Sequence, residues 1–490
     1  MPWRKLPLRA ADWLPPERNP LPYAGLISSL PEESDYECRV EGELPPLSGT
    51  LYRVGPGLYD RGPDRKRMVL DGDGMVQTLT FADGRAVYRN RFVRTEKYLE
   101  EEKAGRFVYP TFSTHGSGSF LRNVGMSLPN QANTTVLEWA GHLYAFDESQ
   151  RPYELRRDLS TIGETVLDTA GPDLKYWAHW KLDAAHEQVH MLALEQGPRM
   201  TAHVLSLSLT GDIVARRSFM LPRAVYFHDW FVSENRFAFW LHPAFIDLGA
   251  LGRVLIARET FASAIRWKPE AGTQLFVVDR NDERTWTFDA DACWMWHAIN
   301  AYDDGDQMIC DFIGSEQGGG LGGEDSALFG VMRGERVAPA DRPVNFIRRM
   351  HVRPLENRLD MKIISDSADY ELPGISATER ARPHSKAYMI QADHGELFTR
   401  NLCQYDAANG STASWAFEDG EYCGEPVFCD VLGQARGRFV ISQVYSARDK
   451  KSYFAVFDEK SFCRGPIARI RLQHHVPLSF HGFWAPSARK

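Results

Sequence analysis

Apolar and polar positions alternate along most of this chain in short runs, and the runs close at turn-forming residues. The stretches "TLTFADGRAVYRNRFV", "TTVLEWAGHLYAF", "HVLSLSLTGDIVARRSF", "QLFVVDRNDERTWTF" and "AINAYDDGDQMICDF" set alternating or β-branched residues around corners such as Asp-Gly, Ala-Gly and Thr-Gly. Period two sends successive side chains to opposite faces of a strand, so each stretch predicts a β-hairpin. Hairpins of this kind recur along nearly all 490 residues with no obvious linker. That recurrence predicts a closed all-β architecture, either a propeller or paired sandwiches. No WD or kelch signature marks a repeat.

Helical periodicity is scarce. "RTEKYLEEEKAG" is the clear candidate, with Gly105 placed to end it. From Phe237 to Ile265 the chain is mostly apolar, broken by Asp247, Arg253, Arg258 and Glu259. We read it as a buried helical excursion in preference to a surface that dips into lipid. Two glycine-rich stretches resemble ligand loops only superficially. "GSEQGGGLGGEDS" (Gly314 to Ser326) has no Gly-Lys-Ser/Thr after it and is expected to be a mobile surface loop. "DGDGMV" (Asp71 to Val76) opens like a calcium loop but carries Ala82 where a bidentate glutamate would fall, so a tight turn is expected.

Composition narrows the class without naming a function. Apolar residues at 43% and charged residues at 25% suit a globular chain with a substantial core. A net charge of -8, with no Lys/Arg run, offers no electrostatic footprint for nucleic acid, which is excluded as a partner. The seven cysteines are odd in number, scattered and without a CxxC pair, as expected in a reducing compartment. The first residues lack the apolar region of a secretory signal, and no window reaches the roughly 18 apolar residues of a membrane span. A cytoplasmic location follows, with room for peripheral contact to a membrane.

The candidate chemistry begins at "CWMWHAINAYDDG", where His297 stands among tryptophans. A single histidine in an apolar strand is ordinarily a core residue bonded to a carbonyl. The same local pattern, however, recurs at "DLKYWAHWKLD" (His179), "RAVYFHDWFVSENRFAFW" (His228) and "HHVPLSFHGFWAP" (His481). Sites separated by 49, 69 and 184 residues cannot share one helix or hairpin, yet inner strands of a propeller could aim all four at its axis. Imidazole suits iron, copper, nickel and zinc, and neutral imidazoles leave a divalent metal its full charge. A ligating imidazole normally donates its other N–H to a carboxylate or carbonyl. Glu148 in "LYAFDESQRPYEL", Glu371 in "DYELPGIS" and Glu425 in "CGEPVFC" are the strand-embedded carboxylates to consider. His186, His190, His474 and His475 are left as ordinary surface or core positions.

Taken together, "GTLYRVGPGLYDRG", "LDGDGMVQTLTF", "NRFVRTEKYLEEEKAGR", "QANTTVLEW", the four histidine contexts, "GEPVF" and "FHGFW" resemble the carotenoid cleavage oxygenase family from about Gly42 to Trp484. The resemblance implies a seven-bladed β-propeller with a helical and loop dome over one face. On this chain that means a single unit, 1–490, with dome segments inserted at about 95–130 and 237–267. It implies iron(II) held by His179, His228, His297 and His481, with Glu148, Glu371 and Glu425 as partners of His228, His297 and His481 respectively. Thr134 matches a position whose side chain crowds one of the two remaining coordination sites. The implied reaction is cleavage of a C=C bond of a carotenoid or apocarotenoid with dioxygen, giving two carbonyl products and needing no organic cofactor.

Two departures bear on the substrate. A tyrosine-rich segment usual in the family reads "ARPHSKAY" here, Ala381 to Tyr388. In the stilbene-cleaving branch a tyrosine and a lysine hold a phenol, and they align with Phe112 and Asp147, which have neither the hydroxyl nor the cation. A long apolar polyene is therefore favoured over a hydroxystilbene, and the apolar Phe237 to Ile265 segment suits uptake of such a molecule from a membrane. The competing readings are a stilbene or phenylpropene oxygenase with the same centre, a retinoid-type isomerase, a non-catalytic propeller binding apolar ligands, and a zinc hydrolase.

Overall fold

Seven antiparallel sheets of four or five strands account for most of the computed structural model. It describes residues 5–9, 12–13, 18–117, 123–125, 128–195, 199–321, 326–335, 343–393, 396–430 and 438–487. One edge strand of each sheet lies innermost: Thr135–Trp139, Lys181–Asp183, Phe231–Val232, Trp294–Asp304, Asp369–Gly374, Glu421–Asp430 and Gly482–Pro486. These inner strands pack side by side around a common axis. The architecture is an all-β propeller, one of the two closed arrangements that the hairpin pattern leaves open and the one that the family resemblance implies.

The ends of the chain close the ring. Gly482–Pro486 pairs with Gly49–Leu58, setting Gly482 against Arg53 and Pro486 against Gly49. In the neighbouring sheet Arg39–Gly42 pairs with Ala468–Arg471. Two sheets thus mix early and late strands, which removes the edges a linear series of hairpins would expose. The core lies between adjacent sheets, where facing apolar rows interlock; Phe231, Trp240 and Leu275 of one sheet meet Cys310, Phe312 and Met350 of the next.

The predicted helix is present as Glu96–Ala104, capped by the Thr95 hydroxyl, which accepts from the Tyr98 N–H, and ended by Gly105 at φ 62°. The Phe237 to Ile265 stretch begins inside a sheet: Arg236–Leu241 is a wholly buried strand paired with Thr273–Asp279. The excursion follows it. A two-stranded sheet, Ala244–Ile246 with Ile265–Trp267, brackets helices Leu248–Leu255 and Phe261–Ala264. Leu248 is 79% exposed and Leu255 54%, so this segment is only partly buried. Among the described residues no helix is long and apolar enough to cross a membrane.

The Gly314 to Ser326 stretch departs from the expected surface loop. Its described part lies against aromatic rings, and a Cβ on Gly319 would fall 2.2 Å from Trp294, while Gly318 faces Trp267. Absence of a side chain lets the backbone reach those rings; residues 322–325 lie outside the described set. At "DGDGMV" the carboxylates are already engaged. Asp71 accepts from the Thr114 hydroxyl at 2.6 Å, and Asp73 meets Lys97 at 2.5 Å and Arg61 at 3.1 Å. Among the described residues no acidic cluster is left open there for calcium.

Candidate metal centre

The four histidines of the recurring pattern meet at the propeller axis. His179, His228 and His481 lie just before the inner strands Lys181–Asp183, Phe231–Val232 and Gly482–Pro486. His297 lies within Trp294–Asp304, where pairing with the next strand slips between Met295 and Ala298. A bulge of this kind turns a side chain out of its strand's alternation. Glu371 and Glu425 sit at equivalent slips, between Glu371 and Gly374 and between Cys423 and Pro426. Next to Glu371, Leu372 holds φ 54°, a left-handed conformation costly for a branched side chain and retained beside the site.

One ring nitrogen from each histidine lies within 4.8 Å of the other three. The Nε2 atoms of His179 and His228 are 2.8 Å apart. Three of the rings are fixed from behind by the carboxylates proposed from sequence. His228 Nδ1 lies 2.9 Å from Glu148, His297 Nδ1 2.5 Å from Glu371, and His481 Nδ1 2.8 Å from Glu425. A carboxylate can only accept here, so each Nδ1 carries the proton and each Nε2 turns a lone pair toward the axis. Lone pairs facing one another so closely repel unless a proton or a cation lies between them. The buried Nε2 of His297 has no hydrogen-bond partner among the described residues. A metal cation satisfies this donor set, and nothing else among the described residues does.

The electrostatics agree. Burial, reinforced by the neighbouring imidazoles, holds His179 and His297 well below the ordinary histidine range, which keeps them neutral near pH 7. His228 is raised: burial opposes its charge, but the Glu148 carboxylate outweighs that. The carboxylates are themselves held. Glu148 also accepts from the Tyr226 hydroxyl at 3.1 Å, and Glu425 accepts from the Gly482 N–H at 2.7 Å and faces the buried Arg53. Because each carboxylate fixes one ring's tautomer, Glu148→Gln, Glu371→Gln and Glu425→Gln should each weaken metal retention by about 10–100-fold. Chelator competition against the unaltered chain measures this; unchanged retention in all three would remove the role.

A cavity of about 290 Å³ abuts the histidines and is walled largely by apolar groups, among them Val69, Leu70, Phe112, Trp296 and Leu478. Thr134 lines it, with its hydroxyl turned to Asn133 at 3.1 Å. Phe112 and Asp147 both lie on its wall. Burial pushes the Asp147 carboxyl up to about 6, against the N–H groups of Gln131 and Glu148 that it accepts. The "ARPHSKAY" segment does not border this cavity: His384 is buried beside Asp311 and Asn300.

Several residues of the site have no visible sequence signature. Arg53 reaches Glu425 across 372 positions of chain. His242, pushed down to about 3 by burial, stacks on Trp294 at 4.2 Å between ring centroids. Asp229 does have a sequence sign, its place directly after His228; it accepts from the Ala298 N–H at 2.8 Å and so ties the His228 and His297 strands together.

Residues 27–486 match the family model of retinal pigment epithelial membrane protein, RPE65. The chain is 27% identical to apocarotenoid-15,15'-oxygenase of a Synechocystis species, covering 93% of this chain and 94% of that one. It is 23% identical to isoeugenol monooxygenase of Pseudomonas nitroreducens, over 96% and 98% of the two chains. The crystal structure of cobalt-substituted Synechocystis ACO superimposes with a TM-score of 0.86 at 25% identity, covering 96% of this chain and 99% of that one.

Proposed function

This chain belongs to the RPE65 (carotenoid cleavage oxygenase) family, and from that membership we propose that it is an iron(II)-dependent oxygenase acting on a carotenoid or apocarotenoid. The observation that carries the reading is the convergence of four imidazoles, with an unpartnered Nε2 on His297, at the wall of a largely apolar cavity. In the reaction one C=C bond breaks, and each carbon takes one oxygen as a carbonyl.

When bound, iron(II) supplies redox chemistry toward dioxygen. His179, His228, His297 and His481 would hold it, and imidazole ligands would add no negative charge to it. Glu148, Glu371 and Glu425 keep the Nδ1 protons of their rings in place. Thr134 would crowd one coordination position with its side chain. Phe112, Tyr226 and Trp296 hold an alkene beside the histidines and exclude water.

The whole of 1–490 would work as one propeller unit, with the segment at about 95–130 and, after the sheet strand Arg236–Leu241, the excursion Ala244–Trp267 as its cover. Their mutual contacts support this: the Ala262 N–H donates to the Phe112 carbonyl at 2.9 Å, and the Phe112 and Phe261 rings lie 5.6 Å apart. Exposed Leu248, Leu255 and Ile256 on that cover fit a cytoplasmic protein touching a membrane peripherally, where an apolar polyene would be taken up. The net charge of -8 argues against a nucleic-acid partner.

A stilbene or phenylpropene substrate is the second reading, favoured by the similarity to isoeugenol monooxygenase. Phe112 and Asp147 count against it, since neither offers a phenol the donors or cation it would need. A non-catalytic propeller has no use for four converging imidazole nitrogens. The deciding experiment offers the iron-loaded protein an apocarotenal and a 4-hydroxystilbene in parallel under air. Aldehydes from the apocarotenal are expected, and their masses locate the cleaved bond; aldehydes from the stilbene alone would overturn the polyene reading.

A further inference from the structure

A second and smaller cavity, of about 90 Å³, meets the large one at His297 and His481, which line both. It runs among the inner strands, past Leu182, Val232, Ile299 and Ala301. Its character is the reverse of the large cavity's, because Lys181, Asp229 and Arg380 line it.

Two of these three groups are paired. The Lys181 ammonium meets Asp229 at 2.5 Å, and Asp229 also accepts the N–H groups of Trp230 and Ala298, each at 2.8 Å. Arg380 is drawn at longer range by the Glu425 and Asp229 carboxylates but is bonded to neither. Its guanidinium lies over the Trp180 ring, 5.7 Å from the centroid, and among the described residues no hydrogen-bond or ion-pair partner reaches it. Glu425 is already engaged by His481, Gly482 and Arg53. A guanidinium stays charged and presents five N–H donors in a fixed fork, so leaving it unpaired in a cavity is costly. Lys181 is also near enough to repel it.

We propose that this axial cavity binds a small monovalent inorganic anion of the kind of chloride, held between the Arg380 guanidinium and the Lys181 ammonium. The site stands on the Arg380 guanidinium and the cavity it lines, and does not depend on a metal at the histidines.

The test soaks crystals of the iron-loaded chain in sodium bromide and reads anomalous scattering at the bromine and iron edges. A bromide peak is expected beside Arg380, with affinity at least ~10-fold weaker in Arg380→Ala, as befits loss of a charge-assisted hydrogen bond, and largely kept in Arg380→Lys. No bromide at Arg380 in the unaltered chain, with or without iron present, overturns the proposal. So does a peak that Arg380→Ala leaves undiminished. Bromide beside Arg380 with no iron at the histidines would uphold the anion site and sink the metal reading instead. If Arg380→Ala fails to fold, bromide NMR line broadening on the unaltered chain, abolished by competing chloride, decides the matter, and absence of that broadening overturns it.

Discussion

His297→Ala should lose most of its metal and at least about a thousandfold in turnover, because it removes the donor atom whose only available partner is the cation. The effect has two separable parts. The first is the vacated coordination position, which no neighbouring side chain refills, since Ala298 on the same strand has no donor and Glu371 is directed at Nδ1, on the far side of the ring. The second is the Glu371 carboxylate, which loses the N–H it accepts at 2.5 Å and stays near the cavity at a cost of about 1–3 kcal/mol. Pairing His297→Ala with Glu371→Gln should recover much of the lost stability and none of the metal. Elemental analysis of purified protein, with turnover of an apocarotenal and the midpoint of thermal unfolding, reads all three quantities. Full turnover by the single variant would refute the assignment of the centre.

How much of this site could be read in advance depended on the range of the interactions. Hairpins are local, so period two and turn chemistry exposed them, and the helix Glu96–Ala104 carried both its Thr95 cap and its Gly105 stop in sequence. The four histidines were legible because their aromatic surroundings repeat, and the three glutamates because the family resemblance assigned them. Arg236–Leu241 was harder. A strand buried on both faces is a continuous apolar run, and period alone cannot tell it from a buried helix. The Gly314 to Ser326 stretch, exposed at Glu316 and Gln317 as a surface loop should be, departs from that expectation at Gly318 and Gly319 for a related reason. Glycine content signals freedom of the backbone, whereas here the missing side chains make room for Trp267 and Trp294, which lie far off in sequence. Arg53, His242 and Arg380 had no local sign at all, since each matters through partners that only the closed ring brings near.

The same distinction predicts the largest loss of stability, at a lysine that looks in sequence like an ordinary solvent-facing helix residue. Lys97→Met should destabilise the protein by about 3–5 kcal/mol. The Lys97 ammonium is fully buried and bridges Asp73 at 2.5 Å and Glu101 at 2.8 Å. Methionine keeps most of the stem's volume, so the variant isolates the charge: Asp73 is left with Arg61, and Glu101 with the N–H groups of Val108 and Tyr109, each at 2.9 Å. The pH dependence gives the cause away. Burial alone would raise the Asp73 carboxyl, but Lys97, with Arg61 and Lys66, holds it below the usual carboxylate range. A carboxyl depressed in the folded state contributes stability above its unfolded pKa, and that contribution is lost as pH falls through the folded value. Without Lys97 the depression is relieved, so the deficit should be greatest near pH 7 and shrink on acidification through the carboxyl range, about 4. Chemical unfolding of both proteins across that range measures it, and a deficit independent of pH would mean that Lys97 acts by packing alone. Function should feel the loss as well. Glu101 anchors the backbone at Val108 and Tyr109, only a few residues before Phe112 on the cavity wall, so the buried cation holds in place the cover under which the alkene must lie.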